Sequence, residues 1–156
     1  MTGGVSGDAM RQLYSERIME LANDIAREGR LDAPDATVER RSPLCGSRIT
    51  VDLSMDGDRV SDYAHVVRAC TLGQASASIM ARRVLGADAE TLRRVAAAVR
   101  SMLKEGTEPP ADLWPELAYL QPAHGYKSRH GSVLLAFEAV EQAVGKILEK
   151  RESAVG

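Results

Sequence analysis

Aromatic side chains are scarce in this sequence: they make up 4% of 156 residues, with one tryptophan and one phenylalanine. The interior must therefore be built from Leu, Val, Ile, Met and Ala. Cysteine is scarce too. Two cysteines, in a chain with no apolar N-terminal run, argue against secretion and a disulfide framework and make the cytoplasm the expected compartment. No stretch approaches the ~20 consecutive apolar residues of a membrane span. Neither charge dominates: 20 Lys and Arg stand against 22 Asp and Glu, a formal net charge of -2, so the footprint of a nucleic-acid binder is missing. There is also no P-loop, Gly-x-Gly-x-x-Gly, Ser-His-Asp order or paired-carboxylate motif, and no internal repeat. Enzyme chemistry outside sulfur handling has no carrier here, and the chain reads as not an enzyme in its own right.

What is present is one domain over residues 1–156, long enough to bury a core without staples. It is organised around the stretch 44–78, which holds both cysteines. Ile49, Val51, Leu53 and Met55 alternate with Thr50, Asp52 and Ser54, the period-2 pattern of a strand with one buried face. Asp56-Gly57 signals a two-residue hairpin loop, and the run from Val60 to Val67 supplies the returning strand. In that register Cys45 lies opposite position 68, two residues short of Cys70. Two residues of strand span roughly 7 Å, close enough for a shared metal, a persulfide relay or, with backbone movement, a disulfide. Thr71 and Gln74 form a capping box that starts a helix just beyond Cys70. The positive end of that helix favours the thiolate, the form that binds metals and attacks sulfur.

Around this centre, residues 1–7 are Gly-rich and expected to be a disordered tail. Met10, Leu13, Tyr14, Ile18, Leu21, Ala22 and Ile25 predict one amphipathic helix of about five turns, stopped by Gly29. Ala36 to Arg41 predicts a third strand. Leu72, Ala75, Ile79, Met80 and Val84 are helix-spaced, and Asp88 caps a further helix that runs to Gly106. A short helix holds Trp114, Leu117 and Leu120. Residues 121–131 read as a polar loop, after which Ser132 opens the last helix. The charged tail 150–156 is expected to be disordered. The sum is an α+β fold: a three-stranded antiparallel sheet covered by about five helices.

Cys45-Gly46, a hairpin of this length, and Cys70 followed by Ala75-Ser76-Ala77-Ser78 resemble the U-type iron-sulfur cluster assembly scaffolds, the NifU, IscU and SufU family. The likeness runs from about Arg11 to about Lys150. It is nearest to the SufU-like branch, because a helical insertion, here roughly Asp88 to Gln121, precedes the last helix. The resemblance implies that Cys45 and Cys70 are the first two ligands for a transient iron-sulfur cluster or zinc, and that a cysteine desulfurase is the partner. The family's Cys-Gly-Asp reads Cys45-Gly46-Ser47 in this chain, and Ser132 stands where its third cysteine would be. The Leu-Pro-Pro-Val-Lys segment by which IscU-type scaffolds are recognised by a chaperone reads Tyr126-Lys127-Ser128-Arg129, so that interaction is not implied.

Each of these residues has a plainer reading. Buried, inert cysteines are common, and serine is a leading helix N-cap. A serine ligand must lose a proton at a pKa far above that of a thiol, which weakens Ser132 as a metal ligand. His130 and His124 lie in the segment the family folds over its site. Imidazole is a legitimate zinc or iron ligand, so His130 is a candidate third ligand, against the default of a solvated loop histidine. His65 reads as a sheet residue. Two functions follow: an assembly scaffold or sulfur acceptor, and a degenerate relative that binds the desulfurase machinery without holding a cluster.

Overall fold

The computed structural model describes residues 7–44 and 46–155. Its elements run α1 (Gly7–Leu13), α2 (Glu16–Asn23), β1 (Ala36–Arg41), β2 (Arg48–Asp56), β3 (Arg59–Arg68), α3 (Thr71–Arg83), α4 (Ala89–Glu105), a 3-10 helix (Pro115–Gly125) and α5 (Lys127–Val155). The strands form one antiparallel sheet in the order β1-β2-β3. This is the expected α+β architecture, with the helices on one face of the sheet.

The expected single N-terminal helix is two. Ser15 takes an extended conformation and accepts a hydrogen bond from the Ile18 N–H at 3.2 Å, capping α2 and ending α1 before it. A serine side chain competes with the helix for backbone groups, and here that competition outweighs the continuous apolar stripe.

The sheet side of the core is Val38, Ile49, Val51, Leu53, Met55 and Tyr63, all buried, as the period-2 pattern requires. The hairpin register differs from the expectation. Asp56 pairs with Arg59, so the loop is Gly57-Asp58, and a bulge at Ser54/Met55 shifts the pairing again, setting Arg48 opposite Arg68. Only Gly57 takes positive φ, at 63°, which is the requirement of a loop with glycine first rather than second. Asp-Gly fixes where the chain turns to within one residue. The bulge has no short-range signature.

Among the described residues Asp52 is the one fully buried carboxylate on the sheet. It accepts bidentate hydrogen bonds from Arg30 at 2.6 and 3.2 Å, one from the Leu31 N–H at 3.0 Å, and one from the Thr37 hydroxyl at 2.7 Å. These bonds tie the link between α2 and β1 across the outer face. The same link lines the free edge of β3: the His65 N–H donates to the Arg27 carbonyl and the Gly29 N–H to the His65 carbonyl, at 3.1 and 2.9 Å. Further along that edge, Val60 exchanges hydrogen bonds with Gly86 and Ala87, and the Ala89 N–H reaches Asp58.

α3 packs between α2 and α5, and its small residues Ala75, Ser76, Ala77 and Ser78 are buried, as close helix approach demands. Asp88 caps α4 by accepting from the Thr91 N–H at 2.8 Å, and Gly106 ends it at φ 73°. The segment expected as a polar loop is structured instead. The 3-10 helix carries Pro122 within it, where the missing N–H and the ring disfavour α geometry, and it runs to Gly125. α5 then begins at Lys127, so Ser132 sits inside that helix and not at its start. At the other end α5 continues to Val155, making the segment expected as a C-terminal tail helical as far as it is described. The expected N-terminal tail lies outside the described residues except for Gly7, which opens α1.

Candidate functional site

Three elements meet where β2 begins and β3 ends. Cys70 is the N-cap of α3, half-buried, with backbone φ -66° and ψ 170°. The expected capping box is not formed: Thr71 is the first helical residue, and the Gln74 N–H donates to the Cys70 carbonyl at 2.9 Å. Placing Cys70 on the cap brings it nearer the unpaired N–H groups of the first turn than the sequence implied. Ser132 projects from α5 and is fully buried, and Ser47, just before β2, is 2% exposed.

These side chains form a chain of contacts. Cys70 Sγ lies 3.2 Å from Ser132 Oγ, and Ser132 Oγ lies 3.1 Å from Ser47 Oγ. With the Cys70 sulfur as thiolate, the proton order that satisfies it has Ser132 donating to sulfur and Ser132 accepting from Ser47. The spacing also depends on an absent atom. A Cβ on Gly73 would come 2.5 Å from Ser132 Oγ, so glycine at that position lets α3 close on α5. Gly131 is under the same constraint from the other side, where a Cβ would meet Ser42 Oγ at 2.6 Å.

The connection carrying Ser47 is closed by its own backbone. The Ser42 N–H donates to the Ser47 carbonyl at 2.7 Å and the Gly46 N–H to the Ser42 carbonyl at 2.9 Å, with Gly46 at φ 71°. Cys45, the other expected thiol, lies outside the described residues. Leu44 beside it is 82% exposed.

The histidines are turned to backbone. His130 Nε2 faces the carbonyls of Ala123 and His124 at 2.9 and 3.1 Å, so this nitrogen carries the proton and donates. The His130 ring borders a pocket with Leu103, Lys104, His124 and Lys127, whose lining does not include Cys70. His124 Nδ1 donates to the Leu103 carbonyl at 2.7 Å. His65 is fully buried, as a sheet residue, with Nε2 donating to the Ala26 carbonyl at 2.8 Å and Nδ1 without a partner. Burial pushes its pKa below the ordinary value, against the Ala26 bond and the nearby Glu28 carboxylate, which raise it.

Among the described residues no group of three or more His, Cys, Asp and Glu side chains gathers around one point. The described donors are one thiol and two hydroxyls hydrogen-bonded in a row, whereas a tetrahedral zinc takes deprotonated thiolate, imidazole or carboxylate ligands. Sequence reasoning missed the role of Ser47 as the partner of Ser132. The signal was the pair of serines at both departures from the Cys-Gly-Asp and third-cysteine pattern, which a joint substitution would have flagged.

The chain is an α+β domain: a three-stranded antiparallel sheet covered by helices, with a cysteine capping the helix after β3. Residues 13–154 match the NifU-like N terminal domain, and the chain belongs to that family. Among its relatives is the iron-sulfur cluster assembly scaffold protein IscU of Thermotoga maritima, 29% identical over 88% of this chain and 96% of that protein. The zinc-dependent sulfurtransferase SufU of Bacillus subtilis is 27% identical over 86% of this chain and 90% of its own length. Among solved structures, a nitrogen-fixing NifU-like protein (N-terminal) from Brucella abortus superposes with a TM-score of 0.89. It is 44% identical and covers 91% of this chain and 99% of that one. No described helix is long and apolar enough to cross a membrane.

Proposed function

We propose that this chain is a cytoplasmic sulfur acceptor and scaffold for iron-sulfur cluster assembly, with Cys70 as the receiving thiol and a cysteine desulfurase as the donor. The observation that carries this reading is Cys70 Sγ on the N-cap of α3, 3.2 Å from a buried hydroxyl that is itself held by a second one. In the transfer the Cys70 thiolate attacks the outer sulfur of the donor's cysteine persulfide. A new S–S bond forms to Cys70, the donor's S–S bond breaks, and the donor cysteine leaves as a thiolate, with no net oxidation. The Ser132 hydroxyl stands within hydrogen-bond reach of the attacking sulfur, at the N-terminus of α3. Cys45 is proposed as the second thiol, holding with Cys70 the nascent cluster as cargo. His130 and Ser132 are the candidates for a further ligand. The chain is thus a carrier that its partners load and empty.

A second reading, an interaction module that binds the desulfurase machinery without a cluster, is favoured by the mutual hydrogen bond of Ser47 and Ser132. Two neutral hydroxyls stand where the family pattern has an aspartate and a cysteine. One experiment separates the two. The chain is incubated anaerobically with a cysteine desulfurase and cysteine, and the persulfide is located by mass spectrometry; iron and sulfide are then added and absorbance followed. Sulfur on Cys70, lost in Cys70→Ser, is the expected outcome. Desulfurase binding with no persulfide and no cluster on either cysteine leaves the module reading in its place.

A further inference from the structure

The observed register lines up three arginines. Arg41 pairs with Arg48, and Arg48 pairs with Arg68, so one residue from each strand forms a row across the sheet at its site end. Cross-strand partners point to the same side, and this is the outer face: Thr37, on the same side of β1 as Arg41, bonds Asp52 there, while Arg40 turns to Glu138 and Gln142 of α5. All three arginines are exposed. Glu39 pairs with Arg41 at 3.3 Å, whereas among the described residues neither Arg48 nor Arg68 has an ion-pair partner.

Like charges directly opposite one another destabilise a sheet. The chain places three of them in one row although its net charge is -2. The row also abuts the site in sequence: Arg48 follows Ser47, and Arg68 precedes Cys70 by two positions. Between Arg41 and Arg48 the connection carries Leu44, 82% exposed, an apolar anchor flanked by cations. A concentrated positive rim with a projecting apolar side chain is the composition of a recognition surface, with Arg supplying forked donors that match carboxylates.

We propose that the Arg41-Arg48-Arg68 row, with Leu44, is a docking ledge for an acidic surface on the protein that delivers sulfur to Cys70. The proposal rests on the transfer reading above for its partner. Charge complementarity chooses the occupant: carboxylates of a protein neutralise a row spread over three strands, and they bring the donor cysteine over the adjacent thiol. Rim charges of this kind act mainly on the association rate, so the contact depends on ionic strength.

The test uses the full chain and its cognate cysteine desulfurase. Affinity is measured at low and high salt for the native protein, Arg48→Glu, Arg48→Glu/Arg68→Glu and Leu44→Ala, and persulfide loading is followed in parallel from the desulfurase and from a low-molecular-weight persulfide. In Arg48→Glu the new glutamate faces Arg41 and Arg68 and replaces two repulsions with two attractions. In the double reversal it faces Arg41 and a second glutamate, one attraction and one repulsion in place of two repulsions; circular dichroism verifies that each variant is folded. The expected result is native binding that weakens with salt. The double reversal loses about tenfold or more in affinity at low salt, and loading from the desulfurase falls far more than loading from the small donor. Native binding that is absent or insensitive to salt overturns the proposal, as does a double reversal that binds like the native chain. If reversal weakens binding while neither cysteine ever carries sulfur, the ledge stands and the transfer reading falls.

Discussion

Two buried titratable side chains, Asp52 and His65, make stability depend on acid in separate windows. For Asp52 burial pushes the carboxyl pKa up, and the bonds from Arg30, Thr37 and the Leu31 N–H together push it further down, so the folded value lies below the ordinary one. The unfolded chain then takes up the proton first, and stability is present above about pH 4 and lost below it as pH falls toward the folded value. For His65 the folded pKa is also lowered, by burial, which for a base means that the unfolded chain again takes the proton first. Its contribution is present above about pH 6.5 and is lost as pH falls. Acid titration of the urea midpoint should therefore fall in two stages. Asp52→Asn should remove the lower stage at a cost of about 1–2 kcal/mol at neutral pH, the Arg30 arm being solvent-screened, and His65→Gln should remove the upper one. A single-stage profile unaffected by either variant contradicts this account.

Among the elements, α5 has the longest reach. Its last turns arrive at the hairpin tip, where Arg151 donates to the carbonyls of Met55, at 3.0 Å, and Gly57. Removing the side chain in Arg151→Ala should cost about 1 kcal/mol and speed amide exchange around Gly57, with little change near Cys70. Equal protection of the hairpin in both forms would count against this clamp. The same helix shows where sequence reading stops. Strand β1 at Ala36–Arg41, the Asp88 cap and the Gly106 terminus were legible, because each depends on residues within a turn or two of itself. The start of α5 at Lys127 was not, since the polar segment before Ser132 has no apolar period; its turn is closed by the Arg129 N–H donating to the Tyr126 carbonyl and by His130 donating to the carbonyls of Ala123 and His124. The break at Ser15 was missed for the opposite reason: a local cap outweighs an amphipathic stripe that continues past it.

On the scale of the whole molecule, all the layers share one cluster of buried side chains from Leu13 to Ile147, and Trp114 packs against its margin. Unfolding followed by Trp114 fluorescence and by far-ultraviolet dichroism should give coincident transitions, and separated midpoints would show that the sheet and the helical insertion come apart independently. The site was partly legible at this scale: Cys70 and Ser132 were named from the sequence, and the fold brings them into contact. The contact with Ser47 depends on the closed connection after β1, which has no local pattern. One further consequence follows from the way β3 is bordered. Its outward backbone groups at Val60 and His65 are already bonded to Gly86, Ala87, Arg27 and Gly29, so no free ladder is offered there to a strand from another molecule. The link between α2 and β1, with the connection between α3 and α4, thus guards this edge against amyloid-like growth, and loosening the Asp52-anchored link in acid would bare the His65 half of it to a strand from another molecule.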